Sequence, residues 1–397
     1  MYGTKKLTGH IHYVGVNDRT SYKFEQLWSL NHGVSYNSYL ILDEKVALID
    51  TVEIGFADVF LEKIESLLDG RSIDYLVVNH MEPDHSSSIA IIKNRYPEMK
   101  IIGNSKTISM IEGFYGITGN EIEVKEGDTL DLGYHKLSFV FAPMVHWPEV
   151  MMTYDETEHV LFSADAFGCF GTLDGGIIDE DMNCDKYWPE MYRYYAAIVG
   201  KYGSPVQKIL QKLSQHEFSM ICSLHGPVWK KYISEAVTIY DKLSRYDGEE
   251  GVVIAYGSMY GNTEEMAEAI AYSLVNNGIK KVIMHNMSKS DPSQVLSDVF
   301  RYKGLIIGSP TYSNELFPEV KSLIDKIQTR DLKNRIYGYF GSFTWAGAAV
   351  KHLAVVGEKL KWDIVEPSVE MKQGINEDII AKCYELGEAM AEKLKHS

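Results

Sequence analysis

The sequence predicts an α/β protein of two domains, an α/β sandwich followed by a doubly wound parallel sheet. Its 397 residues are too many for one ordinary core, and a hydrophobic content of 45% is enough for two. Strand-like runs alternate with amphipathic segments in both halves. A polar stretch at 245–250 separates the two patterns, so we expect domains at 1–248 and 251–397.

The first half contains short apolar runs typical of strands, at 39–42, 46–49, 75–78 and 100–102. An amphipathic segment at 57–64 and a run at 233–243 have helical spacing. This alternation predicts the sandwich.

The second half begins with a buried-strand run at 252–256, a loop of small residues and a helix. Further strands are predicted at 281–284, 304–308 and 335–340. The helix carries its apolar side chains on one face, namely Met266, Ala267, Ile270, Ala271 and Leu274. Such βα repetition predicts a parallel sheet with helices on both faces.

Four side chains that can bind metal follow the strand predicted at 75–78. They are His80, Glu82, Asp84 and His85. A strand that ends in a loop can aim all four at one point, and their mixture of imidazole and carboxylate suits iron, zinc or manganese. A polar loop that caps a buried strand is the alternative, but this density favours a metal site.

Three more candidates follow predicted strands: His146 after 137–141, Asp165 after 160–164 and His225 after 220–224. Each alone would be an ordinary polar residue at a loop. Their repetition after successive strands predicts one metal centre built from several loops.

The loop at 257–263 has the composition of a phosphate site. Small residues let backbone N–H groups converge on an anion at a helix N-terminus, and Ser258 and Thr263 add hydroxyl donors. The loop lacks the glycine pattern of triphosphate and dinucleotide sites. A capping box of Asn262 and Glu265 is the structural alternative.

Two later strand ends, 309–314 and 341–347, supply aromatic side chains at the same expected sheet edge. Tyr312, Phe343 and Trp345 are candidate walls for an aromatic ring system, or else plain surface aromatics. The coincidence of three loops at the carboxyl edge favours a ligand site.

These motifs resemble those of flavodiiron proteins over essentially the whole chain. The pattern from His80 to His225 looks like the metallo-β-lactamase fold, an αββα sandwich, and 251–397 resembles flavodoxin. Hydrolases of the first fold usually have His where this chain has Glu82. The resemblance therefore implies two irons, and FMN in the second domain.

The resemblance also implies residue roles. One iron would be held by His80, Glu82 and His146, the other by Asp84, His85 and His225, with Asp165 as the bridge. In some family members the histidine matching His85 turns away from the metal, and the sequence leaves its rotamer open.

The resemblance also implies the residues that contact FMN. Contacts to the FMN phosphate carry over to Ser258, Met259, Gly261, Asn262 and Thr263, and contacts to the flavin ring carry over to Pro310, Thr311, Tyr312, Asn314, Ser342, Phe343 and Trp345. Between the aromatic positions Phe343 and Trp345, where the family has a glycine, this chain has Thr344.

The implied function is a terminal reductase that converts dioxygen to water and/or nitric oxide to nitrous oxide. Electrons would come from an external donor such as rubredoxin, reduced deazaflavin or a flavoprotein reductase, through a head-to-tail homodimer or a dimer of dimers. A dinuclear hydrolase, and an FMN electron carrier with an idle metal domain, are the alternatives. Tyr195 and His32 are candidate proton donors with structural roles as the alternative.

Composition also limits the partners, the cellular location and the cysteine chemistry that we expect of this protein. A formal charge of −16 disfavours nucleic acid and anionic membrane as partners. The sequence has no apolar run of membrane length and no signal-type apolar core after Met1, so a cytoplasmic location is expected. The four cysteines are far apart, which argues against disulfides and an appended rubredoxin-like centre.

Overall fold

The structure is a computed structural model that describes residues 3–397, and the chain divides into two compact units. The first unit runs through Tyr194 and resumes at Ser204–Asp241, and the second combines Tyr195–Gly203 with Lys242–Ser397. The short segment belongs to the second unit through specific contacts. Arg330 donates hydrogen bonds to the carbonyls of Ala196 and Ala197, each at 2.8 Å.

Two sheets form the framework of the first unit. One has the order β1-β2-β7-β8-β9-β10-β11 and the other the order β12-β13-β14-β15-β16. Its strands are β1 (Lys5–Lys6), β2 (Ile11–Tyr13), β3 (Val16–Asp18), β4 (Lys23–Phe24), β5 (Trp28–Ser29), β6 (Val34–Tyr36), β7 (Tyr39–Leu42), β8 (Val46–Ile49), β9 (Tyr75–Val77), β10 (Lys100–Gly103), β11 (Glu121–Glu123), β12 (Thr129–Asp131), β13 (Lys136–Phe141), β14 (Met151–Asp155), β15 (Val160–Phe162) and β16 (Met220–Cys222).

The two sheets share one core. Tyr39 on β7 packs its ring 5.3 Å from that of Phe162 on β15, and its hydroxyl donates to the carbonyl of Ser223 at 2.6 Å. Burial of apolar faces is the main stabilising contribution in such a sandwich. The helices are α1 (Ala57–Leu68), α2 (Pro83–Ser86), α3 (Ile89–Arg95), α4 (Ser105–Tyr115), α5 (Tyr187–Tyr194), α6 (Gly203–Leu213) and α7 (Ile233–Ser244).

The second unit is a parallel sheet of order β18-β17-β19-β21-β22, with β23 also paired to β21 and a short antiparallel β20 on β19. Its strands are β17 (Glu249–Tyr256), β18 (Val282–Asn286), β19 (Tyr302–Tyr312), β20 (Glu315–Leu316), β21 (Ile336–Phe343), β22 (Asp363–Ile364) and β23 (Val369–Lys372). Its helices are α8 (Asn262–Asn276), α9 (Pro292–Arg301), α10 (Pro318–Thr329), α11 (Ala349–Leu360) and α12 (Glu377–Lys395). This is the doubly wound sheet that the sequence predicts.

The predicted α/β class is confirmed in both halves, and the apolar face of α8 is buried in the second core as expected. Within residues 3–397, no helix combines the length and apolar character needed to cross a bilayer.

Candidate metal centre and flavin pocket

Four strand ends of the first unit bring the predicted metal ligands together. His80 and Glu82 lie in the loop after β9, His146 lies between β13 and β14, Asp165 follows β15 and His225 follows β16. Because β15 and β16 are parallel neighbours, their carboxyl ends open on the same side. All five side chains are buried.

A tight turn adds the last two ligands. Pro83 occupies the first position of α2, where its fixed backbone angle favours the start of a helix, and Glu82 is the residue before it. Asp84 and His85 lie on the first turn of α2, directly after the loop that holds His80 and Glu82.

The candidate ligands form two groups. Their members are His80, Glu82, His146 and Asp165 in the first, and Asp84, His85 and His225 in the second. Asp165 lies between them: its Oδ2 is 3.1 Å from Nε2 of His146 and 3.4 Å from Nε2 of His80. Its Oδ1 is 3.3 Å from Nε2 of His85 and 3.6 Å from Nε2 of His225. Each oxygen of one carboxylate thus faces a different group, which is the arrangement of a bridging ligand.

The side chain of His85, whose rotamer the sequence leaves open, points into the cluster. Its Nε2 lies 3.0 Å from Nε2 of His225 and 3.2 Å from Oδ2 of Asp84. The ring of Tyr36 lies 6.3 Å from that of His85. The imidazole therefore has the position of a ligand.

The polar atoms of the cluster fit a metal better than they fit one another. Both carboxylate oxygens of Asp84, and Oδ1 of Asp165, are buried and accept no hydrogen bond. Leaving such atoms without a partner costs about 1–3 kcal/mol each, and more when they are charged. Buried carboxylates without donors, facing imidazole nitrogens, are the expected donor set for two cations.

The electrostatics of the cluster also favour positive charge at its centre. Burial opposes a charge on His146, but the hydrogen bonds that His146 donates to Asp165 and Glu82 outweigh it and raise the pKa of His146 to about 9. Burial likewise opposes ionisation of Asp165, yet His80, His146 and His85 hold the pKa of that carboxyl well below its ordinary value. These contacts favour the ionised form of Asp165, the form in which a carboxylate binds metal.

Several partners behind the ligands were not identified from the sequence. Glu149 Oε1 accepts hydrogen bonds from Nδ1 of His80 and from the backbone N–H of Met81, each at 2.9 Å. Nδ1 of His225 donates to the carbonyl of Ser35 at 2.8 Å. In both rings the contact at Nδ1 turns Nε2 toward the cluster. The sequence signal that could have identified Glu149 is its position, three residues after the predicted ligand His146 and next to Pro148.

Asp50 holds the backbone of the main ligand loop. Its carboxylate accepts from the backbone N–H of Asn79 at 2.7 Å and of His80 at 3.2 Å. Burial raises the pKa of Asp50 to about 6. Both oxygens of this carboxylate accept hydrogen bonds from the loop, since Oδ2 also accepts from the side-chain amide of Asn79 at 2.9 Å.

Three residues beside the ligands have left-handed backbones, at φ values of 67° for Met144, 50° for Ala164 and 65° for Phe167. Such conformations cost non-glycine residues about 1–3 kcal/mol each and concentrate at functional sites. The strain indicates that ligand placement, not local stability, determines these loops.

The two candidate proton donors, Tyr195 and His32, have different surroundings. Tyr195 belongs to the second unit, where its ring packs 6.3 Å from Phe300, and the side chain of His32 is exposed. Two other tyrosines pack on the cluster: the ring of Tyr194 is 5.3 Å from that of His225, and the ring of Tyr36 is 6.0 Å from it.

A cavity of about 540 Å³ lies at the carboxyl edge of the sheet in the second unit. It is lined by eleven of the twelve residues predicted to bind flavin, namely Ser258, Met259, Asn262, Thr263, Pro310, Thr311, Tyr312, Asn314, Ser342, Phe343 and Trp345. It is also lined by Tyr260, Ser313, Thr344, Ala346 and Gln373, which were not predicted. Trp345 is 87% exposed, which leaves its ring free to stack on a ligand.

The glycine in the predicted phosphate loop has a different role. Gly261 does not line the cavity but has a φ of 98°, a conformation that side chains rarely adopt, and it precedes α8. No side chain caps α8, so the alternative capping box of Asn262 and Glu265 is wrong. The helix N-terminus is therefore available to an anion.

Thr311 supports the cavity from behind. Its hydroxyl accepts hydrogen bonds from the backbone N–H groups of Ala348 at 3.0 Å and Ala349 at 3.1 Å. Thr263 and Ser342 join the first and third loops through their hydroxyls, 2.8 Å apart. These hydrogen bonds tie together the loops that line the cavity.

Two family profiles match the chain. Residues 34–226 match the ODP family beta lactamase, and residues 254–387 match Flavodoxin. The metal groups lie inside the first match and the cavity inside the second.

Similar proteins cover the whole chain. A nitric oxide reductase of Moorella thermoacetica is 31% identical in an alignment of 396 residues that covers 98% of each chain. The solved structure of rubredoxin oxygen:oxidoreductase from Desulfovibrio gigas has a TM-score of 0.95 at 29% identity and covers 99% of both chains. The flavodiiron protein of Giardia intestinalis has a TM-score of 0.95 at 26% identity, covering 99% of this chain and 97% of its own. From the fold, the two ligand groups and these full-length similarities together, the chain belongs to the flavodiiron protein family, whose members are oxidoreductases.

Proposed function

We propose that this protein is a terminal reductase that passes electrons through FMN to a diiron site, which reduces nitric oxide to nitrous oxide and/or dioxygen to water. One observation carries this proposal: the two oxygens of Asp165 face separate groups of metal-competent side chains, in a chain that also has a flavin-sized cavity. A hydrolase has no use for that cavity, and a simple electron carrier has no use for seven such side chains.

The two irons would be held in the domain at 1–248. His80, Glu82 and His146 would bind one, Asp84, His85 and His225 the other, and Asp165 would bridge them. A bound iron pair supplies redox chemistry that zinc lacks. The carboxylate-rich set supports iron because anionic oxygen stabilises ferric charge.

The protein's own contribution is to fix these ligands in advance. Glu149 and Ser35 hold His80 and His225 in the tautomer that presents Nε2. The rings of Phe24 and Tyr194 pack against His225 and exclude water on that side. A small gas would therefore enter a dry, preorganised site.

FMN would occupy the domain at 251–397. Its phosphate would lie at the N-terminus of α8, near Ser258, Asn262 and Thr263, and its ring between Tyr312 and Trp345. Bound FMN supplies one- and two-electron transfer. The uncapped helix end and the exposed tryptophan support this placement.

An external protein or flavin would deliver the electrons, with rubredoxin, reduced deazaflavin and a flavoprotein reductase as the candidate donors. The working unit would be a head-to-tail homodimer, alone or as a dimer of dimers, in which the FMN of one chain serves the irons of the other.

All four cysteines are buried and unpaired, which supports a reducing, cytoplasmic location.

Cofactor analysis tests the assignment directly. Protein from iron-supplemented cells should contain about two irons and about one FMN per chain. Asp165→Ala should lose most of the iron and keep its FMN, because it removes the carboxylate shared by both groups. A variant that kept both irons and full gas reduction would overturn the role given to Asp165.

A further inference from the structure

A third cluster of metal-competent side chains lies in the first unit, apart from the two groups described above. Its members are His10, His135 and Glu158, whose candidate ligand atoms all lie within 4.8 Å of one another. His135 is fully buried, and His10 and Glu158 are partly buried. We propose that these three side chains bind one divalent cation of zinc type.

The histidine geometry matches a shared ion. Nδ1 of His10 lies 3.2 Å from Nε2 of His135. Two nitrogens at that separation can each be about 2.0–2.1 Å from one zinc, at an N–Zn–N angle of roughly 100°, close to tetrahedral. A hydrogen bond between two imidazoles is the other account of this contact, and the test below distinguishes them.

The third side chain has an unused oxygen. Oε2 of Glu158 is buried and has no hydrogen-bond partner. A buried carboxylate oxygen without a donor is costly unless a cation satisfies it. This observation is independent of the histidine pair and points to the same ligand.

One buried carboxylate organises two of the three ligands. Oδ2 of Asp155 accepts from Nδ1 of His135 at 2.8 Å and from the backbone N–H of Glu158 at 3.3 Å. A carboxylate behind a metal-binding histidine fixes the tautomer that offers Nε2 to the ion. Asp155 is itself fully buried, so this support is rigid.

The ligands come from both sheets of the sandwich. His10 precedes β2 and is tied to the first sheet because its carbonyl accepts from the backbone N–H of Leu42 at 3.0 Å. His135 precedes β13, and Glu158 lies between β14 and β15 in the second sheet. A cation here would join the two sheets at one end of the core and stabilise the folded state.

Two nitrogens and one carboxylate oxygen favour zinc over magnesium or calcium, which prefer oxygen ligands. Three protein ligands leave a fourth position for water. This site is separate from the iron chemistry, so the proposal does not depend on the proposed function.

The test is zinc binding by the intact, iron- and FMN-loaded protein after removal of loosely bound metal. Equilibrium dialysis against Zn²⁺, with zinc and iron counted in the same sample, should give about one zinc per chain beyond the iron. His10→Ala and Glu158→Gln should each weaken this binding by about tenfold or more, and Asp155→Asn by about 10–100-fold. His12→Ala is the matched control, because it removes a nearby imidazole outside the cluster and should leave zinc affinity unchanged.

Thermal unfolding supplies a second readout. At one zinc concentration, zinc should raise the melting temperature of wild type and of His12→Ala by more than that of Glu158→Gln. The proposal is overturned if wild type binds no more zinc than the His10→Ala and Glu158→Gln variants, or if zinc enters only by displacing iron. In either case the histidine contact is an ordinary hydrogen bond.

Discussion

Glu149 accepts a hydrogen bond from Nδ1 of His80 at 2.9 Å, and this contact directs the opposite nitrogen of His80 toward Asp165. Both side chains are fully buried. The pair indicates how the site is held: a carboxylate outside the ligand groups fixes the tautomer of a ligand.

Glu149→Gln should therefore weaken iron binding by about 10–100-fold while leaving the fold intact. Gln keeps the size of the side chain but removes the charge that supports His80. Iron release to a chelator, followed by absorbance, measures the effect. FMN content serves as the internal control, and an unchanged release rate would show that Glu149 has no supporting role.

Trp345→Ala should loosen FMN without changing iron content. The exposed ring of Trp345 forms a wall of the cavity. Stacking of two aromatic rings contributes about 0.5–1.5 kcal/mol beyond the area that they bury, which corresponds to roughly a tenfold change in FMN affinity. Fluorescence titration of the FMN-free protein measures it. Tyr22→Ala, which removes another exposed aromatic in the first unit, is the control. Equal affinities in both variants would return Trp345 to a surface role.

Lys63 should make stability depend on pH in the alkaline range. It is buried, its ammonium donates to the carbonyl of Gly15 at 2.6 Å, and burial lowers its pKa from 10.5 to about 8. The unfolded chain therefore binds more protons between these values, so stability rises with pH across that window and the penalty is full below about pH 8.

Urea unfolding of wild type and Lys63→Met measures this dependence. The free energy of unfolding of wild type should rise relative to the variant, on the order of 1–2 kcal/mol, between about pH 7.5 and about pH 9.5. The comparison cancels pH effects common to both proteins. A constant difference across this range would show that Lys63 does not titrate there.

The sequence could predict those site residues that lie close together along the chain. His80, Glu82, Asp84 and His85 fall within six residues after one strand, so their density alone indicates a metal site. The supporting carboxylates Asp50 and Glu149 have no such neighbours. Their role depends on which loops the two sheets bring together, and periodicity does not encode that pairing.

The same limit applies to the fold. Strands at 39–42 and 46–49 were predictable because their apolar runs are bounded by polar turns, and the structure has β7 and β8 there. The attachment of Tyr195–Gly203 to the second unit was not predictable, because it depends on contacts with residues far along the chain, such as Arg330. His10, His135 and Glu158 likewise meet only in three dimensions.

Subunit mixing tests the proposed head-to-tail dimer. A variant with Asn262→Ala and Thr263→Ala should lose FMN, and Asp165→Ala should lose iron, so each alone should be inactive. Heterodimers formed under subunit exchange should regain about one working site per pair, because the intact flavin of one chain serves the intact irons of the other. A mixture that stays inactive despite demonstrated exchange would place the electron path within one chain.

The most direct test of the central claim is anaerobic stopped-flow reaction of the fully reduced, iron- and FMN-loaded protein with nitric oxide and with dioxygen in turn. We predict rapid oxidation of the protein by at least one gas, with nitrous oxide or water as the product, and no comparable reaction in Asp165→Ala. A wild-type protein with about two irons and one FMN per chain that reduces neither gas would contradict the account.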